Sequence, residues 1–389
     1  MTKKLLFLAL TALPVFNPLN ATEIEWGGQI RPRFEFRDPA AGGGDDSWTS
    51  MRVRTHLKAR LERGVQTFIQ WQDVRLWGEE ANTLGDFSAD HLDLHQGYID
   101  LQGLYDLPLD LRLGRQEIAL GGQRLVGAVG WTPQARAFDG VRLQTGTGAI
   151  ELDLLGLRLA DSSAPAHLHN AYLAGSYATL PDIGGLEIYL LYNSAGAATD
   201  QLTLGLRQAG KTDRFPYRLE AAYQTGQRQG EDVAAYMLGL RAGVPAGKGS
   251  LTLWYDYLSG DDNLADGETK VFDTLFATNH KFYGFADYFL NIPLHTQGGG
   301  LQDLALKLTW PLAKGQLQAH LHHFSLAVKR QLDSATLGRE LDLILSHPYS
   351  PQVRCTIGVS FVQADDSWAA IGRLDKDAKF TFFMLDTQF

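Results

Sequence analysis

Arg31, Arg33 and Arg37 recur at alternate positions of one segment, and Arg52, Arg54, Lys58 and Arg60 do the same on another. A spacing of two puts side chains on one face of an extended chain, whereas the 3.6-residue period of a helix would scatter them. Cations of one sign inside low-dielectric walls concentrate counter-ions, and rings of Arg and Lys are a usual device for favouring anions in a pore. The chemistry implied is an anion-attracting track for carboxylates, sulfates or phosphates. Its candidate residues are Arg31, Arg33, Arg52, Arg54, Lys58, Arg60, Arg142 and Arg354. Arg112, Arg207, Arg218 and Arg241 are further cations of the same kind, farther along the chain. The competing reading is mutual pairing of charges across strands, for which Glu35, Glu62, Asp110, Glu151, Asp153, Glu187 and Glu220 are available.

Other clusters point to less. His320 and His322 share a face, and two imidazoles at that spacing can hold a metal. A structural or catalytic site takes three or four ligands, and no third is evident beside His323, so these are read as lumen or rim side chains. Asp261, Asp262, Asn263, Asp266 and Glu268 lack the spacing of a twelve-residue calcium loop and read as a solvated loop. Ser325 near His323 is a nucleophile beside a base in sequence only, and a triad is defined by geometry. No catalytic residue, metal or cofactor is therefore expected. The single cysteine, Cys355, excludes an internal disulfide framework.

The elements that must carry the charged faces are strands. Met51, Val53, Thr55, Leu57, Ala59 and Leu61 oppose Arg52, Arg54, His56, Lys58 and Arg60. Ile30, Pro32, Phe34 and Phe36 oppose Gln29, Arg31, Arg33, Glu35 and Arg37. The same alternation runs through Val65 to Gln72, Leu186 to Asn193, Leu251 to Tyr257, Leu304 to Trp310 and Val353 to Phe361, and weaker segments bring the total to about 18 strands. Tight connections such as Glu62-Arg63-Gly64 and Gly146-Thr147-Gly148 alternate with long ones near Leu76 to Asp90, Glu117 to Arg136, Ser259 to Leu301 and Gln363 to Lys379. That is the short-turn, long-loop rhythm of a bacterial outer-membrane barrel. No apolar run reaches the roughly 20 residues of a transmembrane helix, and a chain without one can cross lipid only as a closed barrel.

Residues 1–21 read as a secretory signal peptide: Lys3 and Lys4, then the apolar run Leu5 to Leu13, then small residues up to Ala21. The expectation is thus an all-β chain, a single transmembrane antiparallel barrel over residues 22–389, in the outer membrane of a Gram-negative bacterium and in contact with its lipid. With 44 acidic against 35 basic side chains, the chain lacks the basic footprint of a nucleic-acid binder. Its last strand, Lys379 to Phe389, ends in Phe, which resembles the signal read by the barrel assembly machinery.

Two patches are more specific. The first holds Leu113-Gly114-Arg115-Gln116-Glu117, Gly122-Gln123-Arg124-Leu125-Val126-Gly127, Trp131 and Arg136-Ala137-Phe138-Asp139-Gly140-Val141-Arg142-Leu143. The second holds Ser259-Gly260-Asp261-Asp262, Thr274 to Gly284 and Asp287. Together they resemble the alginate export family of outer-membrane proteins. The resemblance implies a barrel with a positive lumen that passes an anionic polysaccharide or its fragments. It also implies that Arg115, Arg124, Arg136 and Asp139 pin the loop between Glu117 and Arg136 against or into the pore, an Arg–Asp pair among them fixing it by a bidentate contact. The leading functional reading is passive passage of alginate-like polyuronate or oligouronate. A general or nutrient-selective porin with a mixed-charge lumen stands as the alternative, and a barrel enzyme is a more distant third.

Overall fold

A computed structural model of the chain describes residues 23–39, 43–79, 92–160, 170–196, 198–212 and 215–389. The expected signal peptide lies outside the described residues. The strands in chain order are β1 (Glu23–Asp38), β2 (Asp46–Arg60), β3 (Val65–Leu76), β4 (Leu92–Leu101), β5 (Leu109–Gln116) and β6 (Phe138–Gly146). Then come β7 (Glu151–Ala160), β8 (Ala171–Leu180), β9 (Leu186–Ala195), β10 (Thr199–Lys211), β11 (Pro216–Arg228), β12 (Glu231–Ala246) and β13 (Gly249–Leu258). A two-residue β14 (Glu268–Thr269) precedes β15 (Leu301–Leu312), β16 (Gly315–Ser325), β17 (Thr336–Pro348), β18 (Val353–Ala364) and β19 (Ala378–Gln388).

All but β14 form one closed antiparallel barrel of 18 strands. Each pairs with its neighbour in sequence, and β1 pairs with β19 to seal the ring. Closure leaves no edge, so every strand has partners on both sides, the condition for a sheet in lipid. The short β14 only lies beside the start of β12.

The wall is inside out relative to a soluble sheet. On β15, Asp303 and Lys307 are buried while Leu304 and Leu306 are exposed. On β17, Glu340 and Asp342 are buried while Leu341, Leu343 and Leu345 face outward. The period-2 pattern seen in the sequence therefore sorts polar residues to the lumen and leucines to lipid. Exposed Trp26, Tyr105, Trp310, Tyr349 and Phe389 mark the periplasmic ends of the strands, and Tyr172, Tyr192, Tyr223 and Tyr236 lie toward the opposite rim. Such girdles sit at the two membrane interfaces, where an amphipathic ring meets both solvents.

Outside connections are expected to be long, and two depart from this: residues 196–198 join β9 to β10, and residues 229–230 join β11 to β12. Gln229 and Gly230, with φ of 56° and 89°, join β11 to β12 directly, because two positive φ values make the tight primed turn that matches strand twist.

Two long outside connections, residues 117–137 and 259–300, fold inward. Their Ile118, Val126, Phe272, Phe282, Phe289 and Ile292 are buried in one cluster with Leu157, Leu173, Leu191, Phe380 and Phe382 of the wall. The hydrophobic core of this protein thus lies within the barrel. The lumen face of β7 records where it begins: Glu151 and Asp153 near the periplasm give way to Leu155 and Leu157, which are buried under the loops. Trp368 of a short helix (Asp366–Ala370) closes the cluster by stacking on Phe289 at 5.3 Å.

Candidate functional site

The first basic strands hold the inward loop 117–137. Register places Arg31 opposite Arg52 on β1 and β2, and like charges so placed repel. Loop carbonyls relieve that repulsion. Arg31 donates to Gly130 O at 2.6 Å, Trp131 O at 3.0 Å and Thr132 O at 3.1 Å. Arg33 donates to Trp131 O at 2.6 Å and to Glu35 at 2.8 Å. Arg52 reaches Gly130, Thr132 and Pro133 carbonyls at 3.3–3.4 Å and is held by Gln29. Irregular backbone inside a barrel has no ladder to satisfy it, so the guanidinium fork supplies the missing donors. Arg54 donates to Gln72 at 2.7 Å and pairs with Glu117 at 3.2 Å. Burial alone would raise the Glu117 carboxyl, but the hydrogen bond with His95 and the charges of Arg54 and Arg52 outweigh it and hold it below its ordinary value.

The two inward loops also bind each other. Gly127 N donates to Phe276 O at 2.9 Å, Phe276 N to Leu125 O at 2.8 Å and Thr278 N to Gln123 O at 3.0 Å, around a parallel bridge between Val126 and Phe276. Arg136 donates to Phe276 O and, at 3.3 Å, to Ala277 O. Trp131 stacks on His280 at 4.1 Å and donates to Asp287 at 3.1 Å, while Arg33 covers the ring at 4.1 Å. The two sequence patches thus meet face to face.

Arg124 ties this assembly to the far wall. Its guanidinium, fully buried, makes a bidentate contact with Asp256 of β13 at 2.9 and 3.0 Å. It also donates to Tyr283 at 3.0 Å and lies 3.4 Å from Glu220 of β11. Burial by itself would lower its pKa, but Asp256, Tyr283 and Glu220 raise it above the ordinary arginine value, so the charge is fixed.

Arg115 and Asp139 do pair, at 2.9 Å. They share the outward parity of Leu113 and Val141 rather than that of Arg112 and Arg142, so the pair lies on the outer face beside the root of the loop and not in the pore. Toward the periplasm, Lys58 lies 3.9 Å from Glu25, Arg60 bonds Glu23 and Glu25, and Arg142 pairs with Asp153. Arg354 donates to Ser346 Oγ at 3.4 Å. Ser325 Oγ lies 3.5 Å from His323 Nε2 at the outer rim, with no third group completing a relay among the described residues.

A second group of cations lacks such neutralisation. Arg218 and Arg241 face each other across β11 and β12, with Trp254 next in register on β13. The Nε and Nη2 atoms of both are buried without a hydrogen-bond partner among the described residues. Arg241 lies over the Trp254 ring, and Arg218 lies against Gly122 of the loop. Lys281 joins them, donating to Gly122 O at 3.3 Å. Desolvation and the charges of Arg241, Arg218, Arg207 and Arg124 hold its ammonium below the ordinary lysine value. Arg218 and Arg241 were among the alternating cations in sequence, but Lys281, in a loop with no period, gave no such signal.

Two recesses flank the core. One of ≈ 470 Å³ opens toward the periplasm between Asp110, Arg142, Asp153, Tyr177 and loop residues 119–121. One of ≈ 830 Å³ opens outward between Arg37, Asp287, Tyr288, Arg373 and Lys376.

The fold is shared with solved outer-membrane channels. Acinetobacter baumannii OccAB4 superposes with a TM-score of 0.66 at 10% identity, over 96% of this chain and 100% of its own. Pseudomonas aeruginosa OpdO gives 0.66 at 12%, over 95% and 98%. The outer membrane protein OpdK of P. aeruginosa gives 0.62 at 9%, over 95% and 99%. No curated protein matches in sequence. The Alginate export profile matches residues 22–373, across both inward loops and all but the last strand of the wall. The chain therefore belongs to the alginate export family, and it is an outer-membrane channel barrel of a Gram-negative bacterium.

Proposed function

We propose that this channel passes an anionic solute, and that an oligouronate is the substrate class its lumen fits best. The observation that supports the reading is the Arg218–Arg241–Lys281 group, in which the Nε and Nη2 donors of both arginines have no hydrogen-bond acceptor among the described residues. Carboxylates are the planar acceptors that a guanidinium fork matches. Arg142, Arg354, Lys58 and Arg60 continue a cationic wall toward the periplasmic mouth, partly neutralised by carboxylates. Arg31, Arg33, Arg52 and Arg54 in this reading hold the constriction and set its shape, with Arg124 and Arg136. Several weak sites rather than one strong one let an ion both enter and leave. An apolar core packed across the lumen favours short fragments over a long polymer.

Reconstitution in a planar bilayer tests this. A reversal potential of anion-selective sign under a salt gradient, with current blocked by added oligouronate, is the expected result. Cation-selective current, or current indifferent to oligouronate, would reduce the reading to a general porin. A second expectation concerns pH. A lysine with a lowered pKa loses its charge at lower pH than a free lysine. Anion selectivity should therefore begin to fall at a lower pH than the titration of a free lysine would give, and Lys281→Met should remove that part of the dependence. A selectivity profile identical in wild type and K281M would take Lys281 out of the path.

A further inference from the structure

His320 and His322 have a third partner that no sequence spacing revealed. β16 and β17 pair so that His320 faces Asp342 and His322 faces Glu340, all on the lumen side. One donor atom from each of His320, His322 and Asp342 lies within 4.8 Å of the other two. His322 and Asp342 are fully buried.

The hydrogen bonds around the group leave the inward atoms free. His322 Nδ1 lies 2.9 Å from both oxygens of Asp303. A carboxylate only accepts, so Nδ1 carries the proton and Nε2 keeps its lone pair. Ser360 Oγ donates to Asp342 Oδ1 at 2.6 Å, which leaves Oδ2. His320 Nδ1, His322 Nε2 and Asp342 Oδ2 are all closed from solvent and have no hydrogen-bond partner among the described residues. His322 Nε2 and Asp342 Oδ2 are 3.9 Å apart. That is too long for a hydrogen bond and about half an ångström beyond the roughly 3.3–3.4 Å between two ligands of a tetrahedral ion at about 2.0–2.1 Å, so an ion there would draw the two atoms slightly together.

Charge points the same way. Asp303, Glu340 and Asp342 are buried together, with Lys307, Arg124 and Arg241 as the cations that act on Asp303. Among the described residues no arginine or lysine pairs directly with Glu340 or Asp342, so a dication beside them would offset charge that is otherwise uncompensated there. Asp303 behind His322 is the carboxylate–histidine arrangement that orients metal ligands. We propose that His320, His322 and Asp342 bind a divalent transition-metal ion of the Zn²⁺ type within the barrel wall. Two imidazole nitrogens and one carboxylate oxygen are the ligand set such an ion takes, with water completing the shell. The site lies under the inward loop, whose Ala286 N donates to Glu340 at 2.8 Å and whose Phe285 ring is 5.9 Å from His320. Binding there would cross-link β16 to β17 where the loop rests.

The test uses the full folded chain in detergent, stripped with a chelator and titrated with Co²⁺. One equivalent should bind, with visible absorption of the intensity given by four- or five-coordinate Co²⁺, and Zn²⁺ should displace it. His320→Gln and Asp342→Asn should each weaken binding at least tenfold, while His323→Gln, on the outer face, should leave it unchanged. Folding of each variant is checked by its heat-modifiable gel mobility. If either lumen variant does not fold, X-ray absorption of the Zn²⁺-loaded wild type decides, with two imidazoles expected in the first shell. Absence of saturable binding, binding undiminished in both lumen variants, or a shell without imidazole would overturn the site and leave buried carboxylates that share protons.

Discussion

Arg124→Met should raise single-channel conductance several-fold and make the current noisy, while the barrel stays folded. The side chain links loop 117–137 to Asp256 and Glu220 on the opposite wall. Methionine would fill much of the same space but leave Asp256 and Glu220 without their direct partner, facing only the more distant Arg218 and Arg241. Breaking a buried pair in this way costs about 3–5 kcal/mol. The wall is held by backbone pairing that Arg124 does not touch, so the loss falls on the docking of the loops. Arg124→Lys should recover little, because an ammonium cannot reproduce the bidentate contact with Asp256. Conductance and noise indistinguishable from wild type would show that the loop is held without Arg124.

The second large effect is on charge selectivity. Arg218→Glu combined with Arg241→Glu should reverse the sign of the reversal potential under a salt gradient and abolish block by oligouronate. The double change moves the local charge from two positive to two negative in a space where Glu187, Glu220 and Asp256 are already present. Arg52→Glu should act differently. Its donors already serve carbonyls of Gly130, Thr132 and Pro133, so that variant should alter conductance and noise more than sign. If Arg52→Glu reversed the potential and the double variant did not, the anion path would run along β1 and β2 instead.

The wall was legible in the sequence because a period of two survives wherever one face meets lipid and the other does not. Arg52 and Arg54 against Val53 and Thr55 needed no partner to be read. The interior was legible only in part. Phe282, Phe285 and Phe289 are buried or half-buried in a connection that holds only short turns of regular structure, none of which contains them, so they carry no period. The two motif patches marked the inward loops, but nothing local says that Trp131 meets His280 or that Arg124 meets Asp256. Those contacts span 149 and 132 positions as numbered. Arg31, Arg33, Arg52 and Arg54 of β1 and β2 are buried, and the carbonyl partners of the first three, about a hundred residues away, were out of reach of any local pattern. Asp342 was likewise hidden, because only the register between β16 and β17 brings it to His320.

The placement of the apolar core inside a wall that is complete without it has a consequence for assembly. The anchors of the inward loops come from β1, β2, β11, β13 and β17, on opposite sides of the ring. They stand in position only after β1 has met β19. The docking of the interior can therefore be complete only once the ring has closed. A ring closed before its loops dock would be an open tube without a filter, and the interval between the two events would set how much it passes unselected.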